Sequence, residues 1–159
     1  VIGKFKTLRK VKETKEDLAL RALRAKRREL AEANEIRRHR DTALKESTSS
    51  LKLRESDVYQ GIMHKSVSFE EIDEVKDKVL MLHKNHQQLR DDYEVAAETC
   101  CRLSEELKSS QVVYHTAQRT REKFDNVLED LQRDKHEQDE LNEELAVEDN
   151  LSKGMPRPL

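Results

Sequence analysis

The sequence predicts an all-α protein: two long helices folded back on each other as an antiparallel coiled-coil hairpin, the second longer and overhanging at its C-terminal end. Three observations carry this. The chain is 40% charged, 35% hydrophobic and 4% aromatic, with no tryptophan, where a globular domain is roughly half apolar and a quarter charged. Such a composition can bury a stripe along a helix but cannot fill a compact centre. Second, apolar residues recur at alternating steps of three and four over a long stretch. Third, the chain is punctuated at one internal place: Gly61 is the only glycine between Gly3 and Gly154, and no proline precedes Pro156.

The first helix is expected over 4–60. Phe5, Leu8, Val11 and Leu18 follow heptad spacing, and Leu23, Leu30, Leu44, Leu51 and Val58 recur at multiples of seven, with Arg37 in the missing slot. The phase shifts near Leu18–Leu23, so the helix is bent or locally re-phased. Arg37 marks a loosened seam or a contact, or else packs its alkyl stem with its head in water.

A turn is expected over 61–67. Gly61 is placed to take the left-handed conformation that closes the first helix. Ser68 and Glu71 form a capping-box pair, and Val67 and Ile72 can make the hydrophobic staple. Glu70, Glu71, Asp73 and Glu74 suit a positive helix N-terminus.

The second helix is expected over 69–150. Its seam reads Ile72, Val75, Val79, Leu82, His86, Leu89, Tyr93, Ala96, Cys100, Leu103, Leu107, Ser110, Tyr114, Ala117, Arg121, Phe124, Leu128 and Leu131. Only His86, Ser110 and Arg121 interrupt it. A periodic seam of this length is a coiled-coil signal that disorder does not produce. The hairpin is read as a single rod over 1–151, with a flexible tail over 152–159.

At about 1.5 Å per residue the helices would span roughly 85 and 120 Å. With Gln60 facing Ser68, Leu23 lies near Glu105–Leu107 and Phe5 near Lys123–Phe124. Residues past about Val127 then lack a partner. The seam agrees, since beyond Leu131 it continues as Lys135, Gln138 and Asn142 before Leu145.

Net charge is −2, but unevenly placed. Residues 4–28 hold eleven basic and three acidic groups, net +8; residues 128–149 hold two basic and ten acidic, net −8. The open end of the hairpin thus carries a basic band followed by an acidic extension.

Chemistry-bearing motifs are sparse. His83 and His86 have a spacing that can bind metal, but no further ligand is placed beside them, so packed or half-exposed histidines are expected. Cys100 falls on the seam as a small core residue and Cys101 outside it. Neither a CxxC pattern nor a disulfide framework is present, which favours a reducing compartment. Acidic pairs such as Glu129/Asp130 have no pocket to make them catalytic. The basic runs Arg21–Leu30 and Glu35–Arg40 lack the aromatic platform and parallel zipper of nucleic-acid binders. No apolar run reaches membrane-span length. No enzyme, metal, cofactor, nucleic-acid or membrane-insertion role is expected.

The stretches KFKTLRKVKETKEDLALRALRAKRREL (Lys4–Leu30) and REKFDNVLEDLQRDKHEQDELNEEL (Arg121–Leu145), with the size and hairpin layout, resemble the central-stalk proteins of type III secretion ATPases, the FliJ/YscO-like family. The acidic tail is closer to the virulence branch than to the flagellar one. The resemblance implies a cytoplasmic, non-enzymatic, monomeric coupling protein, peripheral to a membrane-embedded secretion apparatus. Its paired ends would enter a hexameric ATPase, and it would link that ring to the export-gate cytoplasmic domain and to secretion chaperones. Candidate contacts are Leu8, Arg9, Lys12, Lys15, Arg24, Arg27, Arg28, Arg119, Arg121 and Lys123. The alternative is a generic cytoplasmic coiled-coil scaffold or tether that self-associates through Leu128–Leu145.

Overall fold

The computed structural model describes residues 1–154. It is a two-helix hairpin, α1 over Ile2–Gln60 and the longer α2 over Phe69–Gly154. α2 runs past its expected end because nothing before Gly154 breaks it, and Ser152 donates to the carbonyl of Asp149. Ser152–Gly154, expected as tail, are therefore helical; Met155–Leu159 lie outside the described residues.

Each residue of the predicted α2 seam from Ile72 to Leu131 is buried or half-buried. The start of α2 is fixed as its sequence dictates. Glu71 accepts from the Ser68 backbone N–H at 2.7 Å, and Ser68 Oγ accepts from the Glu71 N–H at 3.3 Å. Val67 and Ile72, the staple pair, are both half-buried. These contacts satisfy two otherwise orphaned donors.

The end of α1 departs from expectation. Gly61 does not adopt the left-handed conformation; His64 does, at φ 62°. The cause is that hydrogen-bonded turns follow α1 directly. The N–H groups of Ile62 and Met63 both donate to the Tyr59 carbonyl, at 3.1 and 3.2 Å, so the chain reverses later. That delay resets the pairing by about one helical turn. Lys26 meets Glu106 at 2.8 Å, Arg40 meets Asp92 at 3.3 Å and Ser47 meets His86 at 2.9 Å, each about a turn beyond the expected register.

Contacts gather in two units, Leu23–Ser109 and Val1–Ala22 with the chain from Ser110 on. The first holds most of the buried apolar residues: Leu23, Ala33, Val75, Ala96, Cys100 and Leu103. Ala33, Cys100 and Leu103 form a cluster against which Leu30 packs. Small residues at this seam let two helices approach closely. Among the described residues Ser47 is the one buried polar residue, and its hydroxyl is satisfied by His86 Nδ1. His83 lies 3.5 Å from Glu55. Among the described residues no group of three or more potential metal ligands forms. Arg37 is exposed along with all of Glu35–Arg40, so the leucine series is interrupted by a loosened stretch in which Arg38 pairs with Glu35 at 2.6 Å.

Candidate docking surface

The unit containing the basic band and the acidic extension is built differently. Among its described residues Leu128 alone is buried. The face that α1 turns to α2 there is half-buried Ile2, Phe5, Arg9, Lys12, Glu16 and Ala19, a heptad row with charges at its centre. Those charges are matched across the pair. Arg9 donates to Asp125, Arg121 donates to both Asp125 and Glu16, and the four alternate in sign. Each guanidinium is held more firmly protonated than usual by its carboxylate hydrogen bond, Arg9 through Asp125 and Arg121 through Glu16. Phe5 stacks obliquely on Phe124, ring centres 6.3 Å apart, and the Lys12 ammonium sits 5.5 Å from the Phe124 centroid, within cation–π range.

This arrangement corrects the sequence reading of α1. Of Phe5, Leu8, Val11 and Leu18, only Phe5 packs on α2. Leu8, Val11 and Leu18 are 44%, 47% and 58% exposed. Two heptad rows interleave along this helix. The pairing uses the row that matches Arg121 and Asp125 with opposite charge, and leaves outside the row richer in leucine. The signal lay in Arg121: a cation on an otherwise apolar seam calls for an acidic partner opposite, and Glu16 supplies it.

The outer row is Lys4, Leu8, Val11, Lys15, Leu18 and Ala22, all exposed. Its 4-3-4-3-4 spacing is that of a second coiled-coil seam, with no helix upon it. Of the sequence-derived contacts, Leu8, Lys15, Arg119 and Lys123 are exposed in this unit, whereas Arg9, Lys12 and Arg121 are half-buried and engaged between the helices. Arg24, Arg27 and Arg28 are exposed but belong to the other unit.

The overhang is sharply bounded. Leu128 is buried and Leu131 half-buried, and from Gln132 through Gly154 every residue is exposed. It therefore begins later than expected, after Leu131 rather than after Val127. Leu141, Leu145, Val147 and Leu151 remain uncovered on it. At the turn, Met63 and Phe69 are exposed and Ile62 is half-buried beside Tyr59.

Over residues 5–153 the chain matches the family of the type III secretion protein YscO. The chain belongs to that family. The YscO-family hairpin is also found in the 2.8 Å crystal structure of the type III secretion protein YscO from Vibrio parahaemolyticus. The two share a TM-score of 0.85 at 17% identity, with 93% of each chain covered. At that identity the likeness establishes the fold. Among curated protein sequences none matches this one. This YscO-family protein is thus a component of a type III secretion system. Among its described residues no helix is long and apolar enough to cross a membrane.

Proposed function

We propose that this protein is a non-enzymatic coupling element of the secretion ATPase, working in the cytoplasm at the periphery of the membrane-embedded apparatus. It presents the basic side of the unit formed by the ends of α1 and α2 to the hexameric ATPase. Through its remaining surface it links that ring to the export gate and to secretion chaperones. The observation that carries this reading is the outer row of α1. A second heptad seam, exposed and flanked by cations, is a surface made for a partner helix or groove with acidic edges. The charged inner seam supports it, since a pair held by matched charges stays soluble with its outer face uncovered.

The test is capture of the cognate ATPase by the purified chain, followed by ATP hydrolysis at increasing chain concentration. Binding with a change in ATPase assembly or turnover is expected. Absence of binding, with turnover and assembly unchanged, would remove the proposal. Lys15→Glu should weaken capture, and the weakening should shrink as salt rises toward about 1 M, where surface charges are screened.

A further inference from the structure

Two unpartnered surfaces of the same unit fit one another. The outer row of α1 reads Lys4, Leu8, Val11, Lys15, Leu18. The acidic overhang contains Glu137, Leu141, Glu144, Glu148, Leu151 at the same 4-3-4-3 spacing. Set side by side in parallel, Lys4 meets Glu137, Leu8 meets Leu141, Lys15 meets Glu148 and Leu18 meets Leu151. Only the Val11 layer sets an apolar side chain against a charge, Glu144, with Leu145 beside it. All ten positions are exposed, Leu141 at 58% and Leu151 at 67%. Among the described residues none of Lys4, Lys15, Glu137 and Glu148 has an ion-pair partner.

We propose that the outer seam of α1 takes the acidic overhang of a second copy of this chain, in the parallel register that pairs Lys15 with Glu148. Within one chain this contact is out of reach. The overhang leaves the hairpin pointing away from α1, and no break before Gly154 lets it return. Between two chains it closes. When the open ends of two hairpins face each other, each overhang runs in the same direction as the partner's α1, and both contacts form at once. The result is a two-fold, isologous pair. The seam is half charged and short, so the pair is weak and salt-sensitive, and the monomer expected from the sequence is its dilute or high-salt form. The contact covers the same face of α1 as the proposed ATPase docking and so rests on that surface being available. The partner differs, however, and solution mass reports on one reading while ATP hydrolysis reports on the other.

Sedimentation equilibrium of the full chain tests it. At about 0.1 M salt and protein near 100 µM, the mass should approach two chains, falling to one at about 1 M salt. Lys15→Glu alone and Glu148→Lys alone each set like charges opposite one another twice per pair, and each should weaken association about tenfold. Mixing these two variants makes both contacts complementary again and should restore the two-chain species. A wild-type chain that stays single at low salt overturns the proposal. So does a wild-type pair whose mixed variants fail to recover, since that pair would use another register. Circular dichroism of each variant separates lost association from lost helix.

Discussion

The two units use the same helix pair in opposite ways. In Leu23–Ser109 the seam is apolar and small: Ala33, Ala96, Cys100 and Leu103 are buried where the helices meet. In the other unit the equivalent positions of α1 are Arg9, Lys12 and Glu16, answered by Arg121 and Asp125. An apolar seam supplies stability that scales with buried area. A charged one supplies little net stability, because exposed ion pairs are worth little, but it fixes which residues face each other. The difference teaches where a thin coiled coil keeps its strength and where it keeps its options. One unit holds the hairpin closed. In the other, α1 carries Leu8 and Leu18 on its outer face.

The comparison can be broken first at its largest expected effect. Leu103→Ala in the apolar unit should cost about 2–3 kcal/mol, the lower part of the range for a buried leucine because the seam is thin. Leu8→Ala, on the outer row, should leave denaturant unfolding unchanged. Equal losses would mean that the leucines of the two units are not differently placed. Next, Arg121→Met should destabilise less than Leu103→Ala, and its effect should fade at about 1 M salt; a salt-independent loss would show that the charged seam is a packed core after all.

The turn offers a smaller effect of opposite sign. His64 carries the left-handed backbone, which costs an ordinary residue about 1 kcal/mol. His64→Gly should therefore raise stability by up to about 1 kcal/mol in urea unfolding. Gly61→Ala should be tolerated, since an added Cβ would meet only the Val58 carbonyl at an ordinary 3.4 Å. A destabilising Gly61→Ala would restore the original reading of the turn.

The smallest effect is on pH. Hydrogen bonds from Lys26 and then Arg102 hold the Glu106 carboxyl below its usual 4.5. That contribution is present above 4.5 and is lost as pH falls through the lowered value of the folded state. The Lys26 ammonium is raised above 10.5 by Glu106 and then Glu29, so its contribution is present below 10.5 and lost as pH rises through the raised value. Glu106→Gln should flatten the acid side of the stability profile, as read by thermal unfolding between about pH 3 and 6. An unchanged profile would place the acid sensitivity elsewhere.

How much of this was legible depended on which signal each element used. The seam of α2 was legible throughout, because its apolar residues pack and two of its three interruptions, His86 and Arg121, meet polar partners on α1. The capping box was legible because two side chains at fixed spacing satisfy two named donors. The α1 face was not. A search for apolar periodicity finds Leu8, Val11 and Leu18, whereas the pairing is decided by charges that such a search discards. Turn and register failed together in the Leu23–Ser109 unit for one reason: hydrogen-bonded turns past Gln60 move the reversal from Gly61 to His64, and the pairs Lys26–Glu106, Arg40–Asp92 and Ser47–His86 shift by about a turn, whereas Phe5 meets Phe124 where the sequence placed it. Arg9, Lys12 and Arg121 are engaged between the helices because the charged row of α1 faces α2, which leaves Leu8 and Lys15 at the surface.

The central claim is that docking belongs to the unit with the charged seam and the exposed outer row. The most direct measurement is the affinity of the cognate secretion ATPase for three forms of the chain: wild type, Lys15→Glu with Lys123→Glu, and Arg38→Glu in the apolar unit as a charge-reversal control. The account predicts that the paired variant loses most binding and stimulation while Arg38→Glu retains both. Equal retention in all three, or a loss confined to Arg38→Glu, would contradict it.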